Sequence, residues 1–215
     1  MGRARYTEHE RTRITEAFLT CTREVIEQDG LAGVTIRKVA QRAGFNSATL
    51  YLYFKDIDEL ITLTCLGYLE DYFRTISDGI PRSSTPREHY QNAWAVFSQL
   101  AFAHPEIFLH LFFKVHSLPL SQTLARYHQL TSCQSSRSGV PPLLLDGSLG
   151  DWNLELMQPL ARQLKLTPAE MHMTNDLMLC YFKKMLEDLD GTDDRPDSEQ
   201  LLRRMLDLSA FLLPA

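Results

Sequence analysis

The sequence lacks the features of a membrane or secreted protein. It contains no run of 18 apolar residues, and its start shows no basic segment followed by an apolar one. A membrane-spanning helix needs about 20 apolar residues, and a secretory signal needs that basic and apolar pair. We therefore expect a cytoplasmic protein that does not enter a membrane. The 215 residues can bury a core as one domain or two small ones.

Cysteines are few and widely spaced. The four of them, Cys21, Cys65, Cys133 and Cys180, form no C-x-x-C pair. Zinc sites and small disulfide-bonded domains need such close pairs, so neither is expected. We predict thiols that lie in or near the core.

Histidine and serine patterns give no metal site and no catalytic centre. His104, His110 and His116 recur every six residues, which on a helix places them about 120° apart rather than on one face. The G-x-S-x-G sequence of a hydrolase nucleophile elbow is also missing. We therefore expect no enzyme, no metal and no cofactor.

The net charge of −5 conceals a basic beginning and an acidic remainder. Residues 1–55 carry nine Lys or Arg against six Asp or Glu, a net charge of +3, which leaves −8 for residues 56–215. Phosphate contacts depend on local Lys and Arg rather than on overall charge. The distribution favours contact of the first 55 residues with nucleic acid, and an accident of composition is the alternative.

Helical patterns cover the chain and no segment alternates as a strand does, which predicts an all-α fold. Apolar residues from about 7 to 28 recur at helical spacing. Gly30 follows and is expected to end this helix as a C-cap in the left-handed conformation. Thr35 is the expected N-cap of a second helix, which Gly44 closes. Asn46 or Ser47 then begins a third, so the three form a helix-turn-helix arrangement.

The third helix is predicted to present a mixed outer surface. A rotation of about 100° per residue turns Leu50 and Phe54 inward and Leu52 outward. Hydroxyls, aromatic rings and a lysine of this kind reach base edges and methyl groups or hold phosphates. An exposed amphipathic helix with incidental aromatics is the alternative, although tyrosines beside an exposed leucine suit a plain surface poorly. The outer face carries Ala48, Thr49, Tyr51, Leu52 and Lys55.

Two adjoining motifs, T-I-R-K-V-A-Q-R-A and G-F-N-S-A-T-L-Y-L-Y-F-K, make up the helix-turn-helix segment. With these motifs, residues 9–63 resemble the DNA-binding domain of the TetR family of one-component transcriptional regulators. The resemblance implies a homodimer whose third helices enter successive major grooves of a near-palindromic DNA operator. The phosphate contacts that it implies belong to Thr35, Tyr51, Tyr53 and Lys55. The residues that it places near bases are Arg37, Ser47, Ala48 and Thr49, with Leu52 as a further candidate.

Three positions depart from the family pattern. Leu52 stands where many relatives carry Tyr, Trp or a polar residue, and Ser47 and Ile57 replace frequent lysines. Leucine offers only apolar contact, for example with a thymine methyl group. The loss of lysines predicts a shallower salt dependence of DNA binding.

The resemblance implies a helix-turn-helix DNA-binding domain at residues 1–55 and a helical effector-binding and dimerisation domain at residues 56–215. A long helix from about 56 to 77 would be the lever between them. Residues 78–84 are a predicted linker and 135–149 a predicted loop. Apolar residues in the last two helices predict a homodimer through residues 167–213. The other helices are expected at 85–103, 105–116, 119–134, 150–165, 167–189 and 196–213.

Aromatic residues are frequent after residue 56, and most belong to an ordinary core. The family resemblance makes some of them candidates for a cavity that binds a small hydrophobic or aromatic effector, with Trp94 and tyrosine hydroxyls orienting a polar group. The candidates are Tyr72, Trp94, Phe97, Phe112 and Tyr127.

The predicted function is a sequence-specific DNA-binding regulator, a repressor that a small-molecule effector releases from a palindromic operator. Two alternatives remain at this point. One is a helical protein-interaction module that retains the fold without operator binding. The other is an architectural DNA binder without an effector.

Overall fold

The computed structural model describes residues 7–76, 85–116, 118–130, 140, 144, 148–190 and 197–214, without the side chains of 72 and 74–76. Its elements in these ranges are helical and none is a strand, which confirms the all-α prediction. The chain divides into two compact units, Met1–Asp71 with Leu118–Ser138, and Tyr72–Ser117 with Gly139–Ala215. The predicted division after Lys55 is a functional one and stays a prediction.

The helices follow the predicted order. In chain order they are α1 (Glu8–Asp29), a 3-10 turn (Leu31–Gly33), α2 (Ile36–Arg42), α3 (Ser47–Leu50), α4 (Ile57–Ile76), α5 (Pro86–Ala103), α6 (Pro105–Phe108) with a π-helical turn (Leu109–Phe113), α7 (Leu120–Leu130), α8 (Leu149–Leu164), α9 (Pro168–Asp190) and α10 (Ser198–Leu212).

Two predicted ranges need comment. The helix expected at 105–116 ends at Phe113, because Lys114 is extended with φ −94° and ψ 146°. The linker at 78–84 lies outside the described residues, as does most of the loop at 135–149. Of that loop, Leu149 begins α8, and Ser148 is its N-cap.

Local side chains set the ends of the first three helices. The Thr35 side chain accepts a hydrogen bond from the Lys38 amide, as expected of an N-cap. Asn46, rather than Ser47, caps α3 by accepting from the Thr49 amide at 2.9 Å. Gly30 has φ 70° but ψ 176°, so it stops α1 in an extended rather than a left-handed helical conformation.

Phe18 is the centre of the first unit's core. It is completely buried on α1, and its ring centroid lies 5.3 Å from that of Phe45 and 5.9 Å from that of Phe54. Leu50 is also completely buried. Aromatic pairs at these separations add to the energy of apolar burial. The core therefore fixes α1 against the segment that follows the helix-turn-helix glycine.

The second unit has an aromatic core with a polar network inside it. Trp94 and Phe97 of α5 pack against each other, with Trp152 of α8 and Phe182 of α9 in contact with both. The Asn153 side chain is buried among them and links the same three helices by hydrogen bonds.

The thiols do not all lie in the core. Cys65 is buried and Cys21 half-buried, but Cys180 is exposed on α9, and Cys133 lies outside the described residues. Burial raises the pKa of the Cys21 thiol, with a smaller contribution from Glu24. The prediction of core thiols is therefore wrong for Cys180, whose position on the helix turns it outward.

None of the helices in the described ranges combines the length and the hydropathy of a membrane span. Among the same residues, only α5 taken together with residues 105–113, which bend by 110° from it, has that length and hydropathy. Trp94, Phe97 and Phe108 of this pair are buried within the second unit.

Candidate nucleic-acid interface

The surface that we call the reading segment runs from Asn46 to Lys55. Its regular helix is only Ser47–Leu50, shorter than the sequence pattern suggests. Turns continue it, because the amides of Leu52 and Phe54 donate to the carbonyls of Thr49 and Leu50, both at 3.0 Å. Side chains therefore keep helix-like directions beyond the helix itself.

The predicted inner and outer faces of the reading segment agree with the structure. Leu50 and Phe54 are buried, whereas Tyr51 and Leu52 are 55% and 57% exposed. Ala48 and Lys55 are also exposed, and Ser47 and Thr49 are half-buried. The exposed set thus combines a methyl group, a phenol, an isobutyl group and a cation within residues 48–55.

Tyr53 differs from the other candidates. It is only 8% exposed, because its ring lies against Phe18 with the centroids 6.2 Å apart. The Arg11 guanidinium lies 5.9 Å from the centre of the same ring. Tyr53 therefore helps to anchor the reading segment in the core, and its implied contact with a phosphate stays a prediction.

Helix α2 divides its cations between internal pairs and the surface. Lys38 binds Asp29 at 2.8 Å and Arg42 binds Glu24 at 3.0 Å, both on α1. Arg37 is exposed, as is the N-cap Thr35. These pairs hold α2 on α1, and Arg37 is exposed, as a base or phosphate contact requires.

Two residues outside the predicted set hold the end of the reading segment. Glu59 of α4 accepts a hydrogen bond from the Lys55 amide at 2.6 Å, and Arg126 of α7 donates to the Tyr53 carbonyl at 3.0 Å. The sequence offers a signal for Glu59, since Asp56 and Glu59 have capping-box spacing and the Glu59 amide donates to Asp56 at 2.8 Å. It offers none for Arg126.

The effector candidates whose side chains are described belong to both units. Trp94, Phe97 and Phe112 belong to the aromatic core of the second unit, where the Phe97 and Phe112 centroids are 5.9 Å apart. Tyr127 belongs to the first unit, beside Gly67. The Tyr72 side chain lies outside the described residues. The Trp94 Nε1–H donates to Asn153 at 2.8 Å, and its predicted contact with an effector stays a prediction.

Two pockets open on the first unit. One, of about 460 Å³, lies between α1, α4 and α7, and the other, of about 510 Å³, lies between the start of α1, α7 and the reading segment. The first is lined by Glu16, Leu19, Thr20, Arg23, Thr64, Asp71 and Tyr127. The second includes Arg11, Leu52, Tyr53 and Arg126. In the part of the chain that the structure describes, no three His, Cys, Asp or Glu side chains converge as a metal site would require.

A family model matches part of the first 62 residues, and solved structures resemble the fold of the chain. The model of the family described as "Bacterial regulatory proteins, tetR family" matches residues 18–62. The transcriptional regulator FadR of Bacillus subtilis, solved with stearoyl-CoA, has a TM-score of 0.57 at 14% identity, over 93% of this chain and 97% of that one. FadR of Thermus thermophilus, solved with lauroyl-CoA, has a TM-score of 0.55 at 14% identity, over 90% and 92%.

A TetR-like regulator from Rhodococcus sp. RHA1 has a TM-score of 0.54 at 15% identity, over 98% of this chain and all of that one. No curated protein sequence matches the chain. The resemblance stated from the sequence is confirmed. Residues 18–62 carry the DNA-binding domain of the tetR family, and the chain has the fold of a TetR-family transcriptional regulator.

Proposed function

We propose that this protein is a repressor that binds a palindromic DNA operator through the reading segment and is released by a small hydrophobic or aromatic effector. The exposed surface of the reading segment is the observation that carries the proposal. It lies within the family-matched residues, and buried Phe18, Leu50 and Phe54 hold it rigid. A preorganised surface of this kind contacts DNA without first losing conformational entropy.

The proposed roles follow the chemistry of each candidate side chain. Thr35, Tyr51, Tyr53 and Lys55 would hold phosphates by hydrogen bonds or charge. Leu52 would contact a thymine methyl group, since a leucine has no hydrogen-bonding atom in its side chain. The remaining candidates, Arg37, Ser47, Ala48 and Thr49, would approach base edges from the same side.

A DNA duplex for the binding tests can be obtained by repeated selection, from a library of random sequence, of the duplexes that the protein binds. We expect the wild-type chain to enrich a near-palindromic sequence, here called the selected duplex, because a dimer presents two reading segments. No enrichment at low salt would favour the protein-interaction alternative. Binding that no added compound changes would favour the architectural one.

Lys55→Gln is expected to weaken binding to the selected duplex and to make it less dependent on salt. Loss of one phosphate contact reduces the slope of log K against log salt concentration by about one. Binding isotherms at several salt concentrations measure this slope. Lys184→Gln is the matched control, since Lys184 is an exposed lysine of α9 paired with Asp188. Equal slopes for Lys55→Gln and the wild type would contradict the phosphate role.

The aromatic core of the second unit is the observation that supports an apolar effector. Its core concentrates Trp94, Phe97, Phe108 and Phe112, and an apolar cavity opened among them would suit an acyl chain or an aromatic ring. Two regulators of similar fold were solved with acyl-CoA thioesters. Stearoyl-CoA and lauroyl-CoA are therefore the first compounds to test for release of the selected duplex, with free coenzyme A as the control.

The proposed homodimer forms through α9 and α10. Met173, Leu177 and Phe211 are large apolar side chains that these helices leave exposed, with Phe211 at 81%. On α9, Met173, Leu177 and Cys180 recur at helical spacing and form one stripe. A two-fold axis through this stripe would pair it with itself, as a palindromic operator requires.

Leu177→Asp combined with Phe211→Asp is expected to convert a dimer into a monomer in sedimentation velocity at micromolar concentration. Charges at the centre of an apolar interface oppose association, and operator affinity should fall at least about tenfold because the half-sites are then bound separately. Val115→Asp is the control, since Val115 is 94% exposed in the same unit but outside α9 and α10. A wild-type monomer would count decisively against this interface.

A further inference from the structure

We propose that Arg126 is a positioning residue for DNA binding, which holds the backbone of the reading segment from a helix far away in sequence. The inference rests on the proposed function. Beyond that function, it identifies what keeps the backbone of Tyr53–Lys55 in place when Lys55 binds a phosphate.

The Arg126 guanidinium binds this backbone directly at Tyr53 and through Glu59 at Lys55. Its Nη2 donates to the Tyr53 carbonyl at 3.0 Å, and its Nη1 binds Glu59 Oε1 at 2.5 Å. The other oxygen of the same carboxylate, Oε2, accepts from the Lys55 amide at 2.6 Å. Carbonyl, guanidinium, carboxylate and amide therefore form a closed ring of contacts, which we call the Arg126 clamp.

The clamp differs from an ordinary surface ion pair. The Glu59 side chain is only 13% exposed, so solvent screens its attraction to Arg126 less than at the surface. The planar fork of the guanidinium can bond two acceptors at fixed directions, which a lysine cannot do. Removing Arg126 would leave a nearly buried carboxylate without its cation and a carbonyl without this donor.

Neighbouring residues of α7 fix where the guanidinium lies. The Tyr127 ring covers Gly67 of α4 so closely that a Cβ at Gly67 would come within 2.9 Å of the Tyr127 hydroxyl. His128 Nε2 lies 2.7 Å from Oε1 of Glu70, which is 1% exposed. Both contacts hold α7 against α4. The position of α7 therefore determines where the Arg126 clamp lies, and the clamp in turn determines where the Lys55 backbone lies.

Direct contact of Arg126 with a phosphate is the competing explanation, because its side chain is 40% exposed. The two explanations differ in the role of Glu59. If Arg126 acts through the clamp, loss of either partner breaks the same ring, and the two effects on affinity are not additive. If Arg126 binds phosphate directly, loss of the Glu59 charge leaves that contact in place, and the effects are independent.

The test uses the full chain and the selected duplex. Variants are Arg126→Gln, Glu59→Gln and both together, with Arg23→Gln as control, since Arg23 pairs with Asp71 at 2.9 Å in the same unit but does not touch the reading segment. We expect each single variant to lose about tenfold in affinity and the double variant to lose no more than about threefold beyond that. Amide hydrogen exchange at Lys55 should accelerate at least about tenfold in all three, and not in Arg23→Gln.

Several results would overturn the proposal: wild-type affinity in Arg126→Gln, additive losses in the double variant, or unchanged exchange at Lys55. If Arg126→Gln loses helical circular dichroism, Arg126→Lys replaces it, since it keeps the charge but not the fork. Wild-type affinity and exchange in Arg126→Lys would then overturn the clamp. If the wild type selects no duplex, the proposed function fails, whereas the exchange at Lys55 still tests the clamp.

Discussion

Replacing Phe18 by alanine is expected to lower the free energy of unfolding of the first unit by about 3–5 kcal/mol. Phe18 is completely buried, and its ring contacts those of Phe45, Tyr53 and Phe54 with centroids 5.3, 6.2 and 5.9 Å away. The truncation leaves a cavity where α1 meets the reading segment. The total free energy of unfolding of a domain of this kind is about 5–15 kcal/mol, so a variant with a loss of this size should also lose DNA binding.

Amide hydrogen exchange within α1 and residues 57–71 of α4 measures this loss in the first unit alone. Val115→Ala is the control, because it truncates an apolar side chain that is 94% exposed in the second unit and lies outside the proposed dimer interface. We expect its first-unit exchange to match that of the wild type. Similar exchange in the two variants would show that Phe18 does not support the reading segment.

The parts of the site that the sequence predicts are those that local chemistry determines. Thr35 and Asn46 cap their helices through amides three residues later, and Leu50 and Phe54 turn inward because of helical periodicity. Each needs only the few residues around it. The resemblance to the TetR family rests on the same short segment, and the family model matches residues 18–62 for this reason.

The parts that escape prediction depend on contacts between distant residues. Arg126 is 73 positions from Tyr53, and nothing in the sequence around either residue indicates that they meet. Tyr127 is predicted from its residue type to line an effector cavity, but it lies in the first unit, where it covers Gly67 and lines the pocket between α1, α4 and α7. The Trp94 indole could in principle orient a ligand, yet Asn153, 59 positions away, already accepts its hydrogen. Periodicity predicts which face is buried and not what it is buried against.

Asn153 is the second position where a single substitution should have a large effect. Its Oδ1 accepts from the Tyr90 hydroxyl at 3.0 Å and from Trp94 Nε1 at 2.8 Å, and its Nδ2 donates to Asn175 Oδ1 at 2.8 Å. Asn153 is completely buried, and these bonds join α5, α8 and α9. Burial raises the pKa of the Tyr90 phenol, which therefore stays protonated and remains a donor through the neutral range.

Asn153→Leu keeps the size of the side chain but leaves two buried donors and one buried acceptor without this partner. At about 1–3 kcal/mol for each of the three unsatisfied groups, we expect the free energy of unfolding of the second unit to fall by about 3–9 kcal/mol. Tryptophan fluorescence during urea denaturation reports that unit alone, since both tryptophans of the chain, Trp94 and Trp152, lie in it. Tyr90→Phe is the comparison, because it removes one donor and leaves the Trp94 bond intact, for a cost of about 1 kcal/mol. Equal denaturation midpoints for the two variants would mean that the network does not hold α5, α8 and α9 together.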